Sequence, residues 1–207
     1  MNVKQTVAAL AAIGCVAGAA MAQQQAAAKE VYLKAGTMEV GLNGGYTMFE
    51  DKTGGGGGVD TDLSQLLVTG EFNYFVIDNL SVGLDANGSW MNFEIKGGSE
   101  VDTVMLYGEP VVRYHIPVMD GRMIPYVGAS VGEGYAWANL RAGTSGGYHA
   151  AKDDTFWTYS GQVGFKVPLN QNVLFDTCLK YTDYQLPSSW NTELHSTAIL
   201  FGLKMKL

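Results

Sequence analysis

Apolar and polar residues alternate one for one along most of this chain. Over residues 36–49 one set reads Met38, Val40, Leu42, Gly44, Tyr46 and Met48, and the other Thr37, Glu39, Gly41, Asn43, Gly45 and Thr47. Side chains of an extended strand point to opposite faces in turn, so a period of two predicts a strand. A face that is apolar throughout meets oil, whereas a face carrying Glu39 is wet or internally paired. The same alternation predicts seven more strands at roughly 65–77, 80–93, 102–117, 123–137, 155–169, 173–184 and 195–207. Two outward positions misfit. Glu133 is expected at the membrane interface, where a charge costs about 0–1 kcal/mol. Pro110 lacks an N–H for the ladder and predicts a bulge or local irregularity.

The connections alternate in length. Asp78-Asn79, Val118–Arg122 and Asn170–Asn172 are tight; Glu50–Ser64, Glu94–Val101, Ala138–Asp154 and Asp183–Leu194 are long. Tyr46, Trp90, Tyr135, Trp137, Trp157, Tyr159 and Tyr181 fall at the long-loop ends of their strands, and Tyr74, Tyr114 and Phe175 nearer the tight turns. Amphipathic rings collect at the two headgroup levels of a bilayer. An all-β, eight-stranded antiparallel up-and-down transmembrane β-barrel is therefore expected, its short turns and both termini periplasmic and its long loops extracellular. A soluble barrel with its apolar face inward is the competing fold, and the aromatic belts and the N-terminus speak against it.

That N-terminus, Met1–Ala22, has Lys4, an apolar stretch from Val7 to Ala20 and an A-x-A ending at Ala20-Met21-Ala22. It reads as a cleaved secretory signal peptide, leaving residues 23–207 as one barrel domain that begins at Gln23. Ala12 stands where a lipoprotein leader would need a Leu-type residue before Cys15, so lipidation is not expected. Cys178 is then the only mature cysteine, and it falls on an inward position. A net charge of −7 argues against a nucleic-acid partner.

Inward positions carry Glu39, Glu71, Asp85, Glu109 and Asp176 with Arg113, Lys166, Lys180, Lys204 and Lys206. The interior of an eight-stranded barrel is just wide enough for side chains to fill. Mutual pairing of these charges is expected, because unpaired buried charge is expensive. Register alone sets Glu39 beside Lys204 or Lys206 across the closing seam, and Lys166 beside Asp176 across the Asn170–Asn172 turn. The same charges lining a narrow water-filled pore are the alternative.

Catalytic chemistry has little to rest on. Nucleophilic catalysis needs a His close to Ser and a carboxylate. His195-Ser196, with Glu193 nearby, offers those residue types, but adjacent strand residues face opposite sides. His149 falls in a loop, and His115 inward near a tight turn. Gly54–Gly58 lacks the Lys-Ser/Thr and the helix of a phosphate loop, and Asp60 with Asp62 makes a weak cation site. No cofactor and no metal are expected.

Several segments resemble small outer-membrane barrels of the OmpA/OmpX/OmpW type. Asn73–Gly83 is similar to the family's strand–turn–strand unit, Val111–Pro117 with Ile124–Ala129 to its central hairpin, and Lys180–Tyr184 to its seventh strand. Gly202-Leu203-Lys204-Met205-Lys206-Leu207 resembles the C-terminal signal read by the barrel-assembly machinery, through Gly202, Met205 and Leu207, with Leu207 in place of the usual Phe. The resemblance implies a monomer surrounded by outer-membrane lipid, with a structural role or one in binding an unnamed extracellular ligand through the loops. A narrow channel is second, and a lipid-modifying enzyme third.

Overall fold

The computed structural model describes residues 33–51, 61–95, 100–141, 148–186 and 194–207. Eight strands run β1 (Met38–Asp51), β2 (Thr61–Ile77), β3 (Leu80–Ile95), β4 (Glu100–His115), β5 (Ile124–Arg141), β6 (Tyr148–Pro168), β7 (Val173–Gln185) and β8 (Leu194–Lys206). Each pairs antiparallel with its neighbour in sequence, and β8 returns to β1 to close the barrel. Closure pairs the first strand with the last, as a β-structure in lipid requires. The alternation divides as the sequence implies. Leu42, Leu84, Val112, Val127, Val163, Ile199 and Leu203 are exposed on the outer wall, while Glu39, Asn43, Glu71, Asp85 and Lys166 are buried inside.

Three short turns close one end. Asn79 adopts the left-handed backbone (φ 65°) that a two-residue hairpin needs. Asn170 Oδ1 accepts from the backbone N–H groups of Asn172 and Val173. Between β4 and β5 a single 3-10 turn, Met119–Gly121, is pinched by a bridge between Val118 and Met123.

Several strands run further than the alternation suggested. β2 begins at Thr61, β3 and β4 pair up to Glu94↔Glu100, and β5 and β6 pair up to Arg141↔Tyr148. His149 therefore stands on β6 rather than in a loop. The extensions carry Thr61, Asp62, Asn139, Lys152 and Asp153, so the ladder continues where the apolar alternation of the sequence has stopped. At Pro110 the register of β4 with β5 lapses over Glu109 and Pro110 and resumes unshifted at Val111↔Ser130, an irregularity with no inserted residue. Register shifts occur instead between Phe75 and Ile77 and between Ala138 and Leu140. The signal segment 1–22, Gly54–Gly58, Asp60 and Glu193 lie outside the described residues.

The closing seam is short. β1 and β8 pair only from Glu39↔Lys206 to Gly44↔Phe201. Beyond it Gly45 lies so close to β8 that a Cβ would sit 2.2 Å from the Ile199 carbonyl oxygen, and Thr47 Oγ1 donates to the Thr197 carbonyl at 3.4 Å.

Candidate functional site: the charged lumen

The interior is layered. At the short-turn end Leu33, Phe75, Ile124 and Leu174 make a fully buried apolar cluster. At the other end Met91, Met105, Tyr107, Ala136, Phe156 and Tyr184 make a second, with Leu186 and Leu194 packed on it. Tyr107 stands edge-on to Tyr184 and Phe156 at centroid distances of 5.8 and 5.9 Å, and the two tyrosine hydroxyls are 3.2 Å apart. Between them lie the charges, together with a third apolar cluster of Leu67, Tyr126, Cys178, Ala198 and Leu200.

Arg113 on β4 is the hub. One nitrogen, Nη2, reaches both Asp85 oxygens at 2.6 and 2.9 Å and Glu71 Oε2 at 2.9 Å, while Nη1 donates to Asn73 Oδ1 at 2.5 Å. Turning the Gln162 amide lets its oxygen accept from Arg113 Nε at 2.8 Å. Lys204 Nζ lies 2.6 Å from Glu71 Oε2 and 3.1 Å from Asp176 Oδ2, and Tyr126 OH donates to that Asp176 oxygen at 3.2 Å. Asn43 Nδ2 donates to Glu71 Oε1 and, at 3.1 Å, to Asp176 Oδ2. One step toward the long-connection end, Lys180 Nζ meets Glu109 Oε2 at 2.5 Å, and Thr158 and Ser160 donate to the other Glu109 oxygen at 2.9 and 2.5 Å.

The pairings across the seam differ from the sequence expectation. The register is as expected, with Glu39 opposite Lys206 and Lys166 opposite Asp176. The ion pair, however, is Lys166 with Glu39 at 2.5 Å, both fully buried, and Lys204 goes to Glu71 and Asp176. Lys206 is only half-buried at the rim. Among the described residues, five acids are thus enclosed with four bases rather than five.

Glycine is the reason. Gly41 lies between Lys204 and Glu71 in register, and a Cβ there would stand 2.8 Å from Lys204 Cγ. The lysine stem crosses β1 over the missing side chain and meets an acid two strands away. Gly202 does the same for Asn43, whose Oδ1 would lie 1.9 Å from a Cβ at that position and whose amide crosses to Asp176. Asn43, Asn73, Asn87, Tyr126 and Gln162 are neutral members of the network that attention to charge alone passes over. Their inward parity is the signal that finds them.

His195 and His115 lie on opposite faces. His195 points outward, with Nδ1 3.3 Å from Asp183 Oδ1 and 3.2 Å from Tyr181 OH, while Ser196 is buried inside and donates to Gln65 Oε1 at 2.5 Å. His115 Nε2 is 3.1 Å from Ser81 Oγ, and both residues are wholly buried. Among the described residues no group of three or more His, Cys, Asp or Glu side chains is placed to hold a metal ion.

Comparison with known proteins agrees with this architecture. A family profile described as the outer membrane protein β-barrel domain matches residues 8–206. No curated protein matches the chain. Among solved structures, OprG from Pseudomonas aeruginosa aligns over 84% of this chain and 97% of its own at 16% identity, with a TM-score of 0.52. Neisserial surface protein A aligns over 84% and 98% at 12% identity and 0.47. Ail, the attachment invasion locus protein of Yersinia pestis, aligns over 84% and 99% at 11% identity and 0.46. The profile covers nearly the whole chain, the barrel is closed, and its outer wall is apolar: the chain belongs to the outer-membrane-protein β-barrel domain family and is an integral protein of the outer membrane.

Proposed function

We propose that this is a non-enzymatic barrel whose lumen is sealed, and which serves as a membrane-embedded scaffold presenting its long connections to the exterior. The observation that carries the reading is the stacking of the lumen, a paired charged layer enclosed between two apolar clusters. An ion crossing it would have to break desolvated pairs and then pass two packed, largely apolar clusters. In this reading residues 1–22 are a cleaved leader, the mature chain is a monomer, and both termini and the short turns are periplasmic. Gly202, Met205 and Leu207 form the segment read during assembly. The binding partner is an extracellular ligand met by the loops.

The test is single-channel recording of the refolded protein in planar bilayers. No stepwise current is expected above the lipid background. Regular steps would favour the narrow channel, which the buried polar side chains from Glu39 to Gln65 would then line. Mass spectrometry of outer-membrane lipid with and without expression tests the enzyme, and an unchanged spectrum is expected.

A further inference from the structure

Of the two apolar clusters that close the lumen, one is built entirely from side chains of strands or packed on by their neighbours. The other is not. Phe75, Ile124 and Leu174 belong to β2, β5 and β7, but Leu33 belongs to the segment before β1 and enters the mouth from outside the sheet. It is 3% exposed. A small set of hydrogen bonds holds the segment. The Leu33 carbonyl accepts from Asn79 N–H at 2.9 Å, Ala35 N–H donates to Asp78 Oδ1 at 2.9 Å, and Gly36 N–H donates to the Phe75 carbonyl at 2.8 Å. Gly36 has φ +86°, a conformation that glycine adopts without strain and that turns the chain back beneath the barrel. Directly behind the stopper lies Lys166, 5.8 Å above the Phe75 ring and bonded to Glu39.

We infer that Leu33 is a detachable stopper. The segment Leu33–Thr37 is an internal ligand of a hydrophobic socket at the periplasmic mouth, and its release opens the charged chamber to the periplasm while the Tyr107–Phe156–Tyr184 cluster keeps the outer end shut. The inference rests on the sealed-lumen reading and on its orientation. Strand side chains cannot leave without breaking ladders, whereas the stopper leaves by local opening of a few hydrogen bonds and one buried side chain. Release of this segment exposes the Glu39–Lys166 pair on one side only, so the chamber changes its access without creating a leak across the membrane.

The experiment uses the full-length barrel with both native cysteines replaced, Cys15→Ala and Cys178→Ala, and a reporter thiol at the socket wall, Ile124→Cys. Each variant is first checked for heat-shifted electrophoretic migration, so that only closed barrels are compared. The rate of modification by a small water-soluble methanethiosulfonate is then measured. Leu33→Asp is expected to raise the rate at least about tenfold, and Leu33→Ala and Asp78→Ala by roughly two- to fivefold, because each weakens a local closing equilibrium to a different degree. Phe156→Ala is expected to leave it unchanged. Should Leu33→Asp fail to close a barrel, Leu33→Ala and Asp78→Ala carry the test. Fast labelling with Leu33 intact, a rate indifferent to Leu33 and Asp78, or equal acceleration by Phe156→Ala would each overturn the stopper. A protein that conducts in planar bilayers while the reporter thiol of Ile124→Cys stays protected would overturn the sealed lumen and leave the stopper standing.

Discussion

Lys166 and Glu39 show how a side chain in a narrow barrel chooses its partner. Both lie on the inner wall with no accessible surface, and the distance between them is 2.5 Å. Removing one partner of such a pair leaves an uncompensated buried charge, at a cost of about 3–5 kcal/mol. Glu39→Ala is therefore expected to lower the stability of the micelle-bound barrel by about that amount in a urea titration. The geometry also says which second change repairs it. Lys166→Met on the Glu39→Ala background should recover much of the loss, because it removes the stranded charge. Lys204→Met should deepen it, because Lys204 neutralises Glu71 and Asp176 instead. Rescue by Lys204→Met rather than by Lys166→Met would mean that the pairing follows the seam after all. Gly202 supplies an independent test. A methyl group there would meet the Leu42 carbonyl at 2.1 Å and Asn43 Oδ1 at 1.9 Å, and backbone cannot move aside as a flexible side chain does. Gly202→Ala should thus impair closure of purified, denatured protein refolding into micelles. Refolding at the wild-type rate and yield would confine the role of Gly202 to recognition during assembly.

At the level of the strand, lipid-facing parity has consequences that position along the chain does not. Leu203 and Met205 both point outward on β8, but Met205 lies nearer the short-turn end. An arginine on the lipid face costs about 2–4 kcal/mol at the bilayer midplane and about 0–1 near the interface. Leu203→Arg should therefore reduce the folded fraction in bilayers more than Met205→Arg, and Lys204→Arg, which keeps an inward charge, should fall below both. Equal losses at all three would place β8 one residue out of register. The outward faces of all eight strands were legible in the sequence, because one alternating face in oil is a strong and local signal: Leu42, Phe72, Leu84, Val112, Val127, Val163 and Ile199 needed only their neighbours to be assigned. Strand ends were less legible. The extensions to Thr61, Arg141 and Tyr148 leave the apolar band, and once polar residues fill successive positions the period of two disappears while the hydrogen bonds do not. The lumen was half legible. Parity placed Glu39, Glu71, Asp85, Glu109, Arg113, Lys166, Asp176, Lys180 and Lys204 inside, but register between adjacent strands could not say that Lys204 crosses Gly41 to reach β2. Long side chains in a filled barrel select partners across the bore, and that depends on where neighbouring residues lack a Cβ. Leu33 lay outside any alternating block, and no local pattern marks a single leucine as a stopper.

The whole molecule is asymmetric from end to end, and the asymmetry makes a prediction of how it sits in the membrane. Its short-turn end gathers the Asp78-Asn79 hairpin, the Val118–Met123 bridge and the Asn170–Asn172 turn. The start of β1 and the end of β8 join that end. Leu33 accepts from Asn79 N–H, Lys206 N–H donates to the Asn172 carbonyl at 2.7 Å, and Leu207 N–H donates to the Met38 carbonyl at 3.0 Å. The opposite end carries the other four connections, and just below it the outward rings of Tyr46, Trp90, Trp137, Trp157, Tyr159 and Tyr181 gather where a belt at one headgroup level is expected. Outer-membrane barrels keep short turns in the periplasm and longer loops outside. A chain threaded from the periplasm has only to pass its hairpin tips through the bilayer, and its termini stay behind. Epitope tags inserted at Gly56 and at Gly146, in two different long connections, should therefore be stained on intact cells, and a tag inserted within the Val118–Met123 turn only after the outer membrane is permeabilised. The reverse pattern would invert the barrel. It would also move the Leu33 stopper to the cell exterior, and its release would then open the chamber outward.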